Sequence, residues 1–296
     1  MKQFFYIVFG GLAIVILCLF FVKVGVSVTT PAPVVPVAPS SVTYEEDNQN
    51  ETFDLLYSMS TTTAIAISAK SYVVMNVDNG SITISRNSDR ILPIASLTKL
   101  VTAVVAENVL SSGVRIVISK QVLDTYGNSA GFREGEVFMS DDLLYPLLLV
   151  SSNDAAEALA MSYGRTEFIK VMNDFARSIG APSTHFDDPA GLSPKSVSTA
   201  RDQAIIMSWI YKNHPELIDI TALKLKTIRS HTWVNPTHLL SWSYYLGGKN
   251  GYLPEANRTG VSLFKFSSTT PTYAVVVLGS QARDSDVVSL VRQIKK

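Results

Sequence analysis

The chain has 296 residues, 47% of them hydrophobic, with 25 basic and 25 acidic side chains and a net charge of zero. Length and composition allow one sizeable domain or two small ones with ample core material, and the charge balance excludes the electrostatic footprint of a nucleic-acid or acidic-lipid binder. The one cysteine, Cys18, leaves no internal disulfide to form and suits an oxidising compartment.

In chain order, Phe4 to Val22 runs about nineteen residues without a charge, enough to cross a bilayer core at about 1.5 Å per residue. It reads as an uncleaved anchor rather than a cleaved secretion signal, because small residues suited to cleavage occur only around Pro31 to Ala38, among prolines. Lys2 and the amino terminus on one side and Lys23 on the other orient it only weakly. Cys18 follows Ile16-Leu17, a poor context for lipid attachment. Residues 1–26 are therefore assigned as a membrane anchor or signal-anchor and residues 27–60 as a linker. Within the linker, Thr29 to Ser41 is proline-rich and extends as polyproline II at about 3.1 Å per residue, and Glu45 to Asp54 is acidic. Neither part can bury a core, so the linker acts as a spacer.

Residues 61–296 carry the globular pattern. Ala64 to Val77 is apolar and β-branched, Asp78-Asn79-Gly80 is a turn and Ser81 to Arg86 alternates back, which predicts a hairpin. Apolar residues recur at helical spacing over Leu97 to Leu110, Asp141 to Val150, Ala155 to Tyr163, Glu167 to Ile179 and Ala200 to Tyr211. Strand character returns at Gly260 to Phe266 and Tyr273 to Leu278, and Asp284 to Lys296 closes as an amphipathic helix. Strands at both ends with helices between predict an α/β (α+β) domain: one sheet built from the two ends, with a helical subdomain inserted.

Three short motifs carry the chemistry, and each has a decoy in the same chain. In Ser96-Leu97-Thr98-Lys99 the hydroxyl and amine share a helix face, so lysine can deprotonate serine. Pro93 and the apolar run place Ser96 at the start of a helix, where the dipole favours a developing oxyanion; a plain helix cap is the alternative reading. The second copy, Ser262-Leu263-Phe264-Lys265, falls in a strand, where positions three apart point to opposite faces. Ser151-Ser152-Asn153 lies in a loop between helical runs and reads equally well as a cap; S-x-N recurs at Ser85-Arg86-Asn87. Lys249-Asn250-Gly251, after Gly247-Gly248 and before Tyr252, sets a cation on an edge strand with glycine admitting substrate backbone; K-x-G recurs at Lys23-Val24-Gly25.

Order and surroundings distinguish the motifs from their decoys. Across roughly Ala64 to Ser280 the chain resembles the penicillin-binding serine D,D-peptidases, specifically the D-alanyl-D-alanine carboxypeptidase family of peptidase S11 type. Pro93 to Ala103 is similar to that family's nucleophile segment, Leu148 to Ala156 to its second segment, and Asp188-Pro189-Ala190-Gly191-Leu192-Ser193 and Ser198 to Asp202 to further segments. The resemblance implies a β-lactamase/D,D-peptidase-like fold with an antiparallel sheet. It implies Ser96 as nucleophile, Lys99 as its base, Ser151 as proton relay and Asn153 as the group that holds the peptide amide. Lys249, with Asn250, Gly251 and Tyr252 beside it, would bind the substrate's terminal carboxylate, and the Ser96 and Tyr252 N–H groups would form the oxyanion hole. Burial beside Lys249 is expected to lower the pKa of Lys99.

The implied partners are peptidoglycan peptides and β-lactams, with the membrane held by the N-terminal helix, no nucleic acid, and the catalytic domain outside the cytoplasm. No cofactor or metal is expected: His185, His214, His231 and His238 show no metal-binding spacing and read as structural or surface residues. Two departures stand out. Asn250 occupies a place where the family usually has threonine, which predicts altered substrate preference or slower turnover. The chain also stops soon after its last strand and helix, which leaves an endopeptidase acting on cross-links as a variant of the same chemistry. A β-lactamase, for which no E-x-x-L-N-like segment follows Asn153, and a non-catalytic wall-binding protein are the alternatives.

Overall fold

The computed structural model describes residues 66–295. The apolar N-terminal run, the linker with its acidic patch, and the first residues of the expected hairpin lie outside that range. Among the described residues no helix is long and apolar enough to cross a membrane.

Strands β1 (Ser71–Asn76) and β2 (Ile82–Arg86) form the expected antiparallel hairpin. Its turn closes because Asn76 Oδ1 accepts the Asp78 N–H at 2.9 Å and Gly80 takes φ +76°. β1 is shorter than the Ala64 to Val77 run. The Ser68 N–H and hydroxyl both bond to Asp286 at 2.8 Å, so the chain joins the ladder only at Ser71.

After β3 (Leu92–Pro93) a 3-10 turn, Ala95–Leu97, leads into α1 (Thr98–Val109). Thr98 to Ala106 are all buried, the polar Thr98, Lys99 and Thr102 included, as befits a helix enclosed on every side within a domain. There follow β4 (Arg115–Val117), the single-turn α2 (Lys120–Leu123), β5 (Val137–Met139), α3 (Ser140–Leu149), α4 (Asn153–Tyr163) and α5 (Arg165–Ser178). Then come β6 (Val197–Ser198), α6 (Ala200–Asn213), α7 (Pro215–Ala222) and the hairpin of β7 (Leu225–Ile228) with β8 (His231–Val234). The predicted helices match α1, α3, α4, α5 and α6 to within a few residues. The small pairs β3–β6, β4–β5 and β7–β8 were not expected, because runs of two to four residues show no periodicity.

The last third supplies β9 (Tyr245–Leu253), β10 (Asn257–Phe264), β11 (Tyr273–Ser280) and α8 (Arg283–Ile294). They join the first hairpin in a five-stranded sheet of order β2-β1-β11-β10-β9, antiparallel at every pairing. Chain ends thus make the sheet and the middle makes the helical layer, as the sequence predicts. Alternation along β11 divides the interior: Ala274, Val276 and Leu278 face the large core with α1, α3, α4, α5 and α6, while Val275 and Val277 face Val287, Val288, Leu290 and Val291 of α8. A strand buried on both faces needs an unbroken apolar run, which Ala274 to Leu278 provides.

Candidate active site

The first motif lies where β9 meets the start of α1. Ala95 has φ 50°, an unusual backbone for a non-glycine residue, and it turns the chain so that Ser96 faces the cleft half-buried. The turn is clamped on two sides: Thr98 Oγ1 donates to the Ala95 carbonyl at 2.8 Å, and Gly191 packs so close that a Cβ there would collide with the same carbonyl. The Ser96 side chain caps neither the turn nor α1, so the capping reading falls away.

Lys99 is fully buried. Its Nζ reaches Ser96 Oγ at 3.1 Å, Asn153 Oδ1 at 2.7 Å and the Ala190 carbonyl at 2.5 Å. An ammonium fills all three contacts with donors. A neutral amine has two N–H donors and one lone pair. Two of the partners can only accept, so deprotonation leaves the lone pair facing the one partner that can donate, the Ser96 hydroxyl. Burial pushes the Lys99 amine down from 10.5 to about 7, against the opposing pull of Asp188, Asp154 and Glu157. Of the expected cause, burial beside Lys249, burial is the part that acts on Lys99; the charges that oppose it are those of the three carboxylates. Lys249, itself buried, is held well below its ordinary value by burial first and then by the charges of Lys99 and Arg283. Two amines in one desolvated cleft favour at most one charge until an anion enters.

In the second motif the two serines divide their work. Ser152 caps α4: its Oγ accepts the Ala155 N–H at 2.9 Å and donates to Asp154. Ser151, at φ 59°, has a buried Oγ with no hydrogen-bond partner among the described residues. A buried hydroxyl without a partner is costly and therefore unusual. Asn153 is oriented by donating from Nδ2 to the Tyr126 carbonyl at 2.8 Å, which leaves Oδ1 for Lys99.

The third motif sits on β9, at the edge of the sheet as expected. A Cβ on Gly251 would stand 2.8 Å from the Ser96 nitrogen, so glycine is what lets the strand touch the nucleophile's turn. Thr259 on β10, paired with Gly251, ties the same turn down by donating to the Ile94 carbonyl at 3.0 Å. Lys249 Nζ donates to the Asn250 carbonyl at 3.1 Å, and the half-exposed Tyr252 ring lies 5.9 Å from the Arg258 guanidinium. Of the decoys, Ser262 is buried within β10 and Ser85 lies on β2; Lys23 is outside the described residues.

Direct contact thus joins Ser96, Lys99 and Asn153, Gly251 abuts the Ser96 nitrogen, and Lys249 couples to Lys99 through charge. Sequence reasoning assigned no role to Asp188, Ala190, Gly191, Thr259 or Arg283. The first three belong to a D-P-x-G segment whose turn chemistry was visible although its target was not. The Arg283 side chain crosses Gly260, where a Cβ would stand 2.8 Å from Arg283 Cδ and 3.4 Å from Asn250 Oδ1. Of the histidines, His231 bonds to Glu136 at 3.0 Å, and His214 sits between Glu107 and Glu216 at 2.9 and 3.0 Å, a grouping that no linear spacing announces.

Known proteins resemble the chain in sequence and in fold. A family model described as D-alanyl-D-alanine carboxypeptidase matches residues 58–281. A Haemophilus influenzae protein named D-alanyl-D-alanine endopeptidase is 30% identical over 221 residues, covering 72% of this chain and 76% of its own. The Streptomyces K15 DD-transpeptidase structure superposes with a TM-score of 0.72 at 30% identity, covering 78% of this chain and 98% of that one. Penicillin binding protein 5 from Haemophilus influenzae gives a TM-score of 0.72 at 26% identity over 79% of this chain and 72% of that one.

Proposed function

Because the chain belongs to the D-alanyl-D-alanine carboxypeptidase family, and is a serine D,D-peptidase of peptidoglycan on that ground, we propose that Ser96 is the nucleophile through which it removes terminal D-alanine from stem peptides. The observation that carries this reading is the buried amine of Lys99, 3.1 Å from Ser96 Oγ, with two acceptor-only oxygens as its other partners. Lys99 takes the serine proton as Oγ attacks the carbonyl of the penultimate D-alanine. The N–H groups of Ser96 and Tyr252 receive the developing oxyanion. The C–N bond then breaks, the leaving amine of the last D-alanine takes the proton with Ser151 as relay, and water hydrolyses the ester to free Ser96. Asn153 holds the peptide amide. Lys249, with Arg283 beside it, receives the terminal carboxylate, which restores the charge that burial takes from the lysine. β-Lactams enter as acylating mimics of the same substrate.

The domain works outside the cytoplasm on this reading, tethered by Phe4 to Val22 and held off the membrane by the proline-rich spacer; deleting residues 1–26 is expected to release it from the membrane fraction. Incubation with a pentapeptide ending in D-Ala-D-Ala tests the activity, and mass spectrometry after labelling with a fluorescent penicillin locates the reactive serine. Wild type is expected to release D-alanine and to carry one adduct on Ser96, and Ser96→Ala to do neither; equal behaviour of the two proteins would refute it. The name of the Haemophilus relative favours a second reading, cleavage of cross-links, which a cross-linked muropeptide dimer offered beside the pentapeptide distinguishes.

A further inference from the structure

Asp188 is buried, and among the described residues none of its hydrogen-bond partners is a side-chain cation. Oδ1 accepts the N–H groups of Ala190, Gly191 and Leu192 at 2.8, 2.6 and 3.1 Å. Oδ2 accepts the Ser193 N–H at 2.8 Å and the Ser196 hydroxyl at 3.4 Å. One carboxylate thus wraps the following residues around itself. The turn it makes meets α1 at two places and the 3-10 turn before α1 at a third. The Pro189 carbonyl accepts Thr102 Oγ1 at 2.5 Å, the Ala190 carbonyl accepts Lys99 Nζ at 2.5 Å, and Gly191, at φ +75°, presses against the Ala95 carbonyl. Nucleophile turn and lysine are braced by the same short segment.

We propose that Asp188 is a positioning residue for acyl transfer: by folding residues 189–193 onto itself it aims the Ala190 carbonyl at Lys99 and so turns the amine's lone pair toward Ser96 Oγ. The inference rests on Lys99 being the base for Ser96. If the Ala190 carbonyl drifted, Lys99 would lose one of its two acceptor-only partners and its lone pair would no longer be committed to serine. Asp188 also supplies charge. Lys99 is faced by Ser96 from the nucleophile turn, by Asn153, Asp154 and Glu157 from α4 and by Asp188 from this loop, the Lys99 charge acts on Lys249 of β9, and Asp188 is the foremost of the charges that favour the Lys99 proton.

The test is the pH dependence of penicillin acylation in the full chain, normalised to folded protein by circular dichroism. Wild type must show a limb near pH 7 that belongs to Lys99; its absence would refute the base assignment itself, a different failure from one confined to Asp188. Asp188→Asn keeps shape but removes the charge and one oxygen acceptor. It is expected to slow acylation by about tenfold or more and to move the limb to lower pH, as loss of a negative neighbour lets the amine shed its proton sooner. Wild-type rate, or a slowed reaction whose limb has not moved, overturns the proposal in favour of a merely structural aspartate. Should that variant not fold, Thr102→Val frees the Pro189 carbonyl and leaves the charge. Acylation slowed several-fold with the limb in place supports the bracing role, and an unchanged rate overturns it.

Discussion

Two oxygens that can only accept fix two of the three directions around the Lys99 amine, and the third is left to Ser96. The protonation of one atom therefore switches the site. Below about pH 7 the amine is an ammonium with no lone pair for serine; above it, base and nucleophile are paired. Acylation by a fluorescent penicillin is expected to rise about tenfold per pH unit on the acid side and to level off once Lys99 is neutral. At Asn250 the family resemblance implies threonine, so this position offers a direct test. The Asn250 Oδ1 lies beside Gly260, and an asparagine amide reaches farther from its backbone than a threonine hydroxyl. Asn250→Thr is accordingly expected to raise kcat/KM for D-alanine release several-fold with little change in thermal stability. The motif residues were legible because each spacing has a local chemical reason, such as serine and lysine three apart on one helix face, and because their order and surroundings resemble a known family; spacing alone could not tell them from their decoys. Asp188 and Arg283 were not, because what each acts on lies far along the chain and shows only in three dimensions.

Secondary structure decides which copy of a motif can work. Ser96 and Lys99 share one face because α1 begins beside them, whereas Ser262 is spent inside β10. The start of α4 gives a sharper case, since neighbouring serines of identical chemistry hold different posts. Ser152 is a cap, so Ser152→Ala is expected to lower stability by about 1 kcal/mol. Ser151 has no partner for its buried hydroxyl, so Ser151→Ala should leave the melting temperature unchanged or raise it slightly, while D-alanine release falls. Calorimetry beside the peptide assay on the two variants separates the roles, and the reverse pattern would show the assignment to be inverted. The sequence allowed capping for either serine; only the geometry of the loop, with Ser151 at φ 59°, divides them. Long helices were found from their periodicity, while the paired strands of two to four residues were lost because so few positions carry no period.

Burying two lysines has a consequence for the molecule as a whole. In the unfolded chain Lys99 keeps its proton up to 10.5, and in the folded domain it gives the proton up near about 7. Across that window unfolding takes up a proton, so raising the pH favours the folded state, and Lys249 acts in the same sense. Burial raises the Tyr245 phenol, which opposes folding only above its ordinary value of 10.0. The melting temperature should therefore climb between neutral pH and about 10, and Lys99→Met should flatten the slope; a melting temperature that falls over this range would contradict the buried neutral amines. At this scale the overall plan was legible, because strand patterns at both ends with helices between leave few ways to close a sheet. The helical layer's small hairpins and the division of the interior by β11 were not. The position of β11 between β1 and β10 has one more consequence, in the order of synthesis. A ribosome delivers the first hairpin well before β11, its central neighbour, so β1 and β10 cannot be joined into one sheet until that later strand has emerged.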